Sequence, residues 1–309
     1  MAKLAVVVPT YNSESFIRST LELQVSQIGK VRGDFVFIVV DDASSDGTWE
    51  ILQDISAQDS RVSAVRLASN VGQQAAIFAG LSLTHGMEAL VMDDDTLAES
   101  KDFSLLLDPI TSGEAEVVVA MSPPQGQKRR SSSRTFWAWM RLSTRGKIRG
   151  RELTLRALSL EGARLLADYP SRNITLTQAV FELGLRKKTA VLSPNFHRLK
   201  SRHSSWSRLS LFIEVFLSFR RQLGYLLLGT SAILAAFFPV VTLLLFAFEL
   251  IDFSNPANVV VAGMIWLSWV ISLAIFGLQS LQIGLLLDEN LKRPKYRFRQ
   301  FANNKELFE

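Results

Sequence analysis

The sequence "VMDDDTLAES", residues 91–100, places three consecutive aspartates directly after a short apolar run. The run has the length and composition of a buried strand that ends where the aspartates begin. Adjacent carboxylates repel one another unless water or a cation screens their charge. The triplet therefore predicts either a solvated acidic turn or a site for a divalent cation, and the neighbouring sequence has to decide between them.

Similar apolar runs recur through the first 200 residues and predict further buried strands. The runs are "LAVVV" (4–8), "FVFIVV" (35–40), "VSAVRL" (62–67), "EALVM" (88–92) and "AEVVVAM" (115–121). Stretches of helical pattern separate several of them, which indicates an α/β domain with a mostly parallel sheet. Ligands of such sheets bind beyond the carboxyl ends of the strands. Polar clusters follow the first, second and fourth runs there, so we predict one site at this edge of the sheet.

Composition limits the classes of function. The chain has 309 residues, is 48% hydrophobic and carries a formal net charge of +5, which predicts about two folded domains. The positive charge is compatible with nucleic acid, an anionic membrane surface or a phosphate-bearing substrate. The absence of cysteine excludes disulfides and thiolate metal sites. Neither a GxGxxG motif after the first strand nor a GxxxxGK[ST] motif occurs, so a dinucleotide fold or a P-loop is unsupported.

Two uncharged runs near the C-terminus, residues 223–248 and 259–287, each exceed the roughly 20 residues that a helix needs to cross a bilayer. We predict a transmembrane hairpin; the alternative is a buried helical hairpin in a soluble domain. Arginines precede the hairpin and five Lys or Arg residues follow it within 292–299, so the positive-inside rule predicts that both termini are cytoplasmic. The spacing of polar residues within 206–222 predicts an amphipathic helix. This helix lies in the membrane interface or, alternatively, packs on the soluble domain.

Four segments in this order resemble the family-two inverting glycosyltransferases with a GT-A nucleotide-sugar domain. They are "VVVPTYNSE" (6–14), "VVDDASSDGT" (39–48), "NVGQQAAIFAGL" (70–81) and "VMDDD" (91–95). The hairpin ending in "DENLKRPKY" (288–296) narrows the resemblance to the polyprenyl-phosphate glycosyltransferases, a group similar to dolichol-phosphate mannose synthase and the bactoprenol glucosyltransferases. It implies a cytoplasmic GT-A domain over 1–205, a juxtamembrane amphipathic helix over 206–222, two transmembrane helices over 223–287 and a cytoplasmic basic tail over 288–309.

The resemblance also implies roles for individual residues. The residues implied to bind the nucleotide are Pro9, Tyr11, Glu14, Asp42, Asn70, Gly72 and Gln73. The Asp-x-Asp motif of the family corresponds to Asp93 and Asp95, with Asp94 as its variable middle residue, and Arg156 is implied to act in catalysis. The motif implies a Mg²⁺ or Mn²⁺ cofactor that bridges the donor diphosphate. This favours the cation-site interpretation of the triplet.

A basic segment lies between the predicted strands and the hairpin. Residues 128–156 contain ten Lys or Arg residues and one acid. On a chain with a predicted membrane anchor, this basic segment favours binding to the phosphate of the lipid carrier or of the donor. Binding to anionic lipid headgroups is the second interpretation, and binding to nucleic acid is the third. The residues predicted to meet phosphate are Lys128, Arg129, Arg130, Arg156, Arg198 and Arg202. Ser122, Leu97 and Thr154 depart from the pattern of the group, which leaves the donor and the catalytic base open.

The expected function is that of an inverting glycosyltransferase. It moves one sugar from a nucleotide-diphosphate donor to polyprenyl (undecaprenyl) phosphate at the cytoplasmic face of the bacterial inner membrane. We expect a homo-oligomer, a tetramer or a dimer, and no nucleic-acid partner. Two alternatives remain open: a glycolipid synthase that uses a non-phosphate lipid acceptor, and a catalytically inactive membrane scaffold.

Overall fold

A computed structural model describes most of the N-terminal two thirds of the chain and one long helix near its C-terminus. The described residues are 3–122, 152–169, 175–193, 196–198, 237, 256–290 and 296–302. The chain divides into two compact units, and the first combines Met1–His203 with Pro294–Glu309. The second unit is Ser204–Arg293.

The first unit is built on an eight-stranded sheet. The strands of the chain are β1 (Leu4–Thr10), β2 (Phe35–Asp41), β3 (Val62–Leu67), β4 (Glu88–Val91), β5 (Thr96–Leu97), β6 (Val117–Met121), β7 (Glu152–Leu158), β8 (Lys187–Val191), β9 (His197–Arg198) and β10 (Phe298–Ala302). The sheet order is β10-β3-β2-β1-β4-β7-β6-β8, while β5 and β9 form a separate pair. The strands β1 to β4 pair in parallel, as do β6 and β8, whereas β7 is antiparallel to both of its neighbours. The five predicted strands and the mostly parallel sheet are confirmed.

Helices cover both faces of the sheet. They are α1 (Ile17–Gly29), α2 (Thr48–Gln58), α3 (Gln73–Leu81), α4 (Ser100–Thr111), α5 (Leu160–Ala167) and α6 (Leu176–Glu182). Successive residues of a strand point to opposite faces, so Val6 and Val8 pack with α1, α2 and α4, and Val7 packs with α3, α5 and α6. Burial on both faces explains why the central strands are continuously apolar.

Helix α3 lies unusually close to the sheet at Gly80. A Cβ atom on this residue would stand 2.3 Å from Cγ1 of Val7 and 3.1 Å from Cγ2 of Val40. The absence of a side chain therefore allows α3 to approach β1 and β2. The same approach fixes the position of the first residue of α3, Gln73, at the carboxyl edge of the sheet.

The C-terminal strand β10 lies within the segment 288–309, for which the sequence predicts a basic tail. Residues 298–302 instead pair antiparallel with β3, with Phe298 opposite Leu67 and Ala302 opposite Ala64. Phe298 and Tyr296 pack against the apolar cluster beneath α3, which explains why a segment this basic joins the sheet. The strand covers an edge that β3 would otherwise expose.

The two phenylalanines of β10 provide a matched test of this packing. Phe298 is partly buried against the core, whereas Phe301 is 47% exposed. We expect Phe298→Ala to lower the free energy of unfolding by about 2 kcal/mol, and Phe301→Ala by less than about 1 kcal/mol, because only the first removes core contacts. Urea denaturation of the full chain measures both values. Equal losses would contradict the packing of β10.

The second unit contains helix α7 (Pro256–Asn290). Its segment Gly263–Ser280 is long and apolar enough to cross a membrane, judged by length and composition, and is largely exposed. It is the one such helix among the residues that the structure describes. The predicted first span, 223–248, and the predicted interface helix, 206–222, lie outside the described residues.

Candidate active site

The loops that follow β1, β2 and β4 meet at one edge of the sheet, because these strands are adjacent and parallel. Backbone N–H of Asn12, after β1, donates to Oγ of Ser44, after β2, at 2.9 Å. Oγ1 of Thr10, at the end of β1, donates to a carboxylate oxygen of Asp94, after β4, at 2.7 Å. The polar clusters that follow the three strands are therefore brought together.

Asp94 connects the acidic loop to the loop after β1. Its Oδ2 accepts hydrogen bonds from Oγ1 of Thr10 at 2.7 Å and from Oγ of Ser13 at 2.5 Å. The resemblance treats Asp94 as the variable middle residue of the motif. The structure gives it a positioning role instead, because two hydroxyl groups of one loop converge on its carboxylate. Neither hydroxyl carries a sequence signal that would have identified it.

Asp93 is held by side chains from two helices. The side-chain amide of Gln73, the first residue of α3, donates to Oδ1 of Asp93 at 2.5 Å. The amide of Gln24, buried in α1, donates to the carbonyl oxygens of Asp93 and Thr96 at 3.3 and 3.0 Å. Sequence reasoning paired Gln73 with the site but missed Gln24, which is one polar residue within an ordinary amphipathic helix.

Asp95 is partly buried, and its carboxylate lies within the electrostatic influence of Asp94. Loss of hydration and, next, the charge of Asp94 raise its pKa to about 6. A nearby cation would oppose both effects, because positive charge favours the ionised carboxylate. The environment of Asp95 is therefore compatible with a bound divalent cation.

The donor set fits Mg²⁺ or Mn²⁺. Asp93 and Asp95 offer carboxylate oxygens, and Mg²⁺ is commonly held by one or two protein carboxylates when substrate phosphates complete its coordination. No group of three or more His, Cys, Asp or Glu side chains suited to a metal occurs within the part of the chain that the structure describes. Oxygens of the donor diphosphate or water would thus supply the remaining ligands.

Asp42 organises the loop between β3 and α3. Its two carboxylate oxygens accept backbone N–H groups of Val71 and Gly72, each at 2.8 Å. Burial raises the pKa of Asp42 above its ordinary value, and these two hydrogen bonds oppose the rise. The resemblance implies a hydrogen bond from Asp42 to the base or ribose. In the structure this carboxylate, 3% exposed, is engaged by the backbone beside Asn70.

The other residues predicted to bind the nucleotide divide into buried and exposed positions. Pro9 is buried in β1, and Oε2 of Glu14 accepts the backbone N–H of Gly47 at 3.1 Å, which joins the loops after β1 and β2. Tyr11 is 44% exposed, and Asn70 is also exposed. Tyr11 and Asn70 are thus accessible to a ligand.

Two of the residues predicted to meet phosphate lie on different strands of the structure, and the others lie outside the described residues. The strand pairing of β5 with β9 places the backbone of Arg198 opposite Thr96, directly after Asp95. Arg156 lies on β7 opposite Val91, the last residue of β4, where it is 6% exposed and donates to Oγ1 of Thr177 at 2.6 Å. The remaining predicted residues, Lys128, Arg129, Arg130 and Arg202, lie outside the described residues.

Comparison with known proteins identifies the family. The family model for glycosyl transferase family 2 matches residues 5–160, half of the chain. The chain belongs to glycosyl transferase family 2. This family-2 protein is 23% identical to the uncharacterized glycosyltransferase YkoT of Bacillus subtilis (strain 168) over 98% of this chain and 93% of YkoT. Membership of this family confirms that the protein is a glycosyltransferase.

A second relative matches over a shorter segment. The undecaprenyl-phosphate 4-deoxy-4-formamido-L-arabinose transferase of Proteus mirabilis (strain HI4320) is 33% identical over 30% of this chain, and the matched part spans 29% of that protein. Among solved structures, glucosyl-3-phosphoglycerate synthase from Mycobacterium tuberculosis in complex with Mg²⁺ and uridine diphosphate aligns with a TM-score of 0.51 at 20% identity, over 69% of this chain and 78% of that one. This similarity confirms the predicted GT-A fold of the family-2 domain.

Proposed function

We propose that this glycosyltransferase moves one sugar, with inversion, from a nucleotide-diphosphate sugar to polyprenyl phosphate at the cytoplasmic membrane face. The observation that carries the choice of acceptor is an exposed apolar helix, α7, on a chain with relatives named for undecaprenyl phosphate. Such a helix would confine the protein to the surface that holds a lipid acceptor.

The donor half of the proposal rests on the acidic loop. Asp93 and Asp95 would hold Mg²⁺ or Mn²⁺, which compensates negative charge on the departing nucleoside diphosphate. Gln73 and Gln24 position Asp93, and Asp94 fixes the loop against β1, so the two carboxylates are held in place before the donor binds. Exposed Tyr11, beside this loop, is suited to contact the nucleoside.

The acceptor half explains why a catalytic base is unnecessary. A phosphate monoester has a second pKa of about 6, so at neutral pH it is mostly a dianion that attacks the anomeric carbon without losing a proton. It requires placement and partial neutralisation by cationic side chains. Arg198 is a candidate because its backbone adjoins the acidic loop, and Lys128, Arg129, Arg130 and Arg202 are candidates from the sequence.

The membrane arrangement that we propose is the predicted hairpin of two spans within 223–287, with both termini in the cytoplasm of a bacterium. Helix α7 supplies the second span, and the uncharged run 223–248 has the length of the first. The hairpins would also provide the contacts of a homo-oligomer, a tetramer or a dimer.

A panel of nucleotide sugars tests the proposed reaction. Full-length protein is incubated with each radiolabelled donor and either undecaprenyl phosphate or diacylglycerol. We expect transfer to the phosphate acceptor alone, with at least one donor. Transfer to diacylglycerol instead would favour the glycolipid synthase, and donor binding without any transfer would favour the inactive scaffold.

The chain has no cysteine, so single cysteines report its topology without background. We expect Asn255→Cys, in the link between the predicted spans, to react in intact cells with a thiol reagent that does not cross membranes. Gln58→Cys, exposed on the first unit, should react only after lysis. Reaction of both cysteines only after lysis would refute the proposed hairpin.

A further inference from the structure

A cavity of about 330 Å³ lies between helix α6 and the strands β6, β7 and β8. Three polar side chains line it, those of Arg156, Thr177 and Lys187. Apolar side chains, among them Val119, Val180 and Leu185, form the rest of its wall. The volume is that of a small-molecule site, and the mixture of apolar walls with a few polar groups is typical of such sites.

Arg156 is the unusual group in this cavity. Its side chain is buried, and its one hydrogen bond among the described residues runs from Nη2 to Oγ1 of Thr177 at 2.6 Å. Its Nε and Nη1 atoms are buried and have no acceptor within the described part of the chain. Burial lowers the pKa of Arg156 to about 10, and the charge of Glu152 opposes that change, so the guanidinium stays cationic at neutral pH.

The neighbouring carboxylate is already paired with a second cation. Nζ of Lys187 donates to Oε1 of Glu152 at 2.6 Å, and the side chain of Glu152 is 5% exposed. No carboxylate lies within ion-pair distance of Arg156 among the residues that the structure describes. Among the described residues, Glu152 is therefore ion-paired with Lys187, while Nε and Nη1 of Arg156 keep N–H groups that no acceptor occupies.

We infer that this cavity binds the phosphate of a phosphate monoester, with Arg156 as its main ligand and Lys187 and Thr177 as secondary ones. A buried guanidinium that keeps unused N–H donors at the wall of a cavity is well suited to a phosphate oxyanion. The apolar wall around Val119, Val180 and Leu185 accommodates a hydrocarbon group attached to it. The monoester has two possible sources, a soluble phosphate ester or a lipid phosphate, and the second source rests on the proposed function.

A short chain of contacts connects the cavity to the acidic loop. Arg156 bonds to Thr177 in the first turn of α6, and backbone N–H of the preceding Leu176 donates to Oε1 of Gln74 at 2.9 Å. The next residue along α3, Gln73, holds Asp93. A ligand on Arg156 is thus connected to the donor site through the first turns of α6 and α3, so binding to the cavity has to be measured with the donor site already filled.

Binding to full-length protein tests the inference. Phenyl phosphate, a soluble monoester with an apolar group, is titrated by calorimetry in the presence of saturating uridine diphosphate and Mg²⁺, which occupy the donor site. We expect saturable binding that weakens at least tenfold in Arg156→Gln and several-fold in Lys187→Gln. Arg164→Gln is the matched control, because this exposed arginine is ion-paired with Glu161 and does not line the cavity, and it should bind as the wild type does.

The outcomes separate the possible sources. An increase in the KM for undecaprenyl phosphate in Arg156→Gln, similar in factor to the loss of phenyl phosphate binding, would identify the lipid acceptor as the ligand. Weaker phenyl phosphate binding with an unchanged KM would identify a soluble ester. If Arg156→Gln does not fold, the same two quantities, the KM for undecaprenyl phosphate and the affinity for phenyl phosphate, are compared in Arg156→Lys and Lys187→Gln. The inference is overturned if the wild type shows no saturable binding of phenyl phosphate. It is also overturned if Arg164→Gln and Lys187→Gln bind phenyl phosphate equally well. Both outcomes hold whether or not the protein transfers sugar.

Discussion

Asp95→Asn is expected to lower the rate of sugar transfer by about 10²- to 10³-fold, the range observed when one electrostatic stabiliser of a transition state is lost. The change keeps the size of the side chain and removes its negative charge. Asp95 is partly buried beside Asp94, and burial and the charge of Asp94 raise its pKa, effects that a bound cation would oppose. Loss of one of two carboxylates should weaken cation binding and leave charge on the departing diphosphate uncompensated.

Asp94→Asn is the matched control for this prediction. The carbonyl oxygen of asparagine still accepts the hydroxyl groups of Thr10 and Ser13, so the loop should keep its position and the rate should fall less than about tenfold. Transfer rates at saturating donor, together with Mn²⁺ binding followed by electron paramagnetic resonance, distinguish the two variants. Similar mild effects of both changes, with activity that survives EDTA, would refute a cation at Asp93 and Asp95.

Gly80→Ala is expected to destabilise the first unit by about 2 to 3 kcal/mol, near the upper end of the usual cost of overpacking a core. The new Cβ would stand 2.3 Å from Cγ1 of Val7, a fully buried and β-branched side chain that has little freedom to move. Helix α3 would have to shift away from the sheet. Because α3 begins at Gln73, the shift should also reduce transfer activity.

Gly33→Ala provides the control, since a Cβ at this position would have no heavy atom within 4 Å. We expect its free energy of unfolding to stay within about 0.5 kcal/mol of the wild type. Denaturant unfolding of both variants in the full chain gives the comparison. A Gly80→Ala protein as stable as Gly33→Ala would show that α3 does not pack against β1 as closely as described.

Local sequence pattern was sufficient for part of the fold and of the site. Strands such as β1 and β2 are apolar throughout because both faces are covered, and the polar clusters follow them because ligand edges of parallel sheets collect polar residues. Strand β10 escaped prediction because "FRQFA" is neither a continuous apolar run nor a strict alternation of apolar and polar residues, and its partner β3 lies far away in sequence. Pairing between distant segments leaves no local periodicity to detect.

The same reasoning explains which site residues were interpreted incompletely. The aspartate triplet identified the acidic loop, but the sequence could not show that Asp94 faces Thr10 and Ser13, because side-chain direction in a loop has no fixed period. Asp42 stands after the correct strand, yet backbone N–H groups from a loop after β3 occupy its carboxylate. The resemblance implied a catalytic role for Arg156, the last of ten basic residues in a run, but only the fold shows that its side chain is buried.

The attachment of β10 to β3 would restrict how the chain could cross a bilayer. Arg198 and Phe298 belong to one folded unit, so they lie on the same side of any membrane. The number of crossings between them must therefore be even. If α7 is one crossing, the residues before it have to supply a partner, and the uncharged run 223–248 has the length to do so. The pairing of a five-residue edge strand therefore requires an even number of membrane crossings before it, and this argument does not depend on the distribution of charged residues.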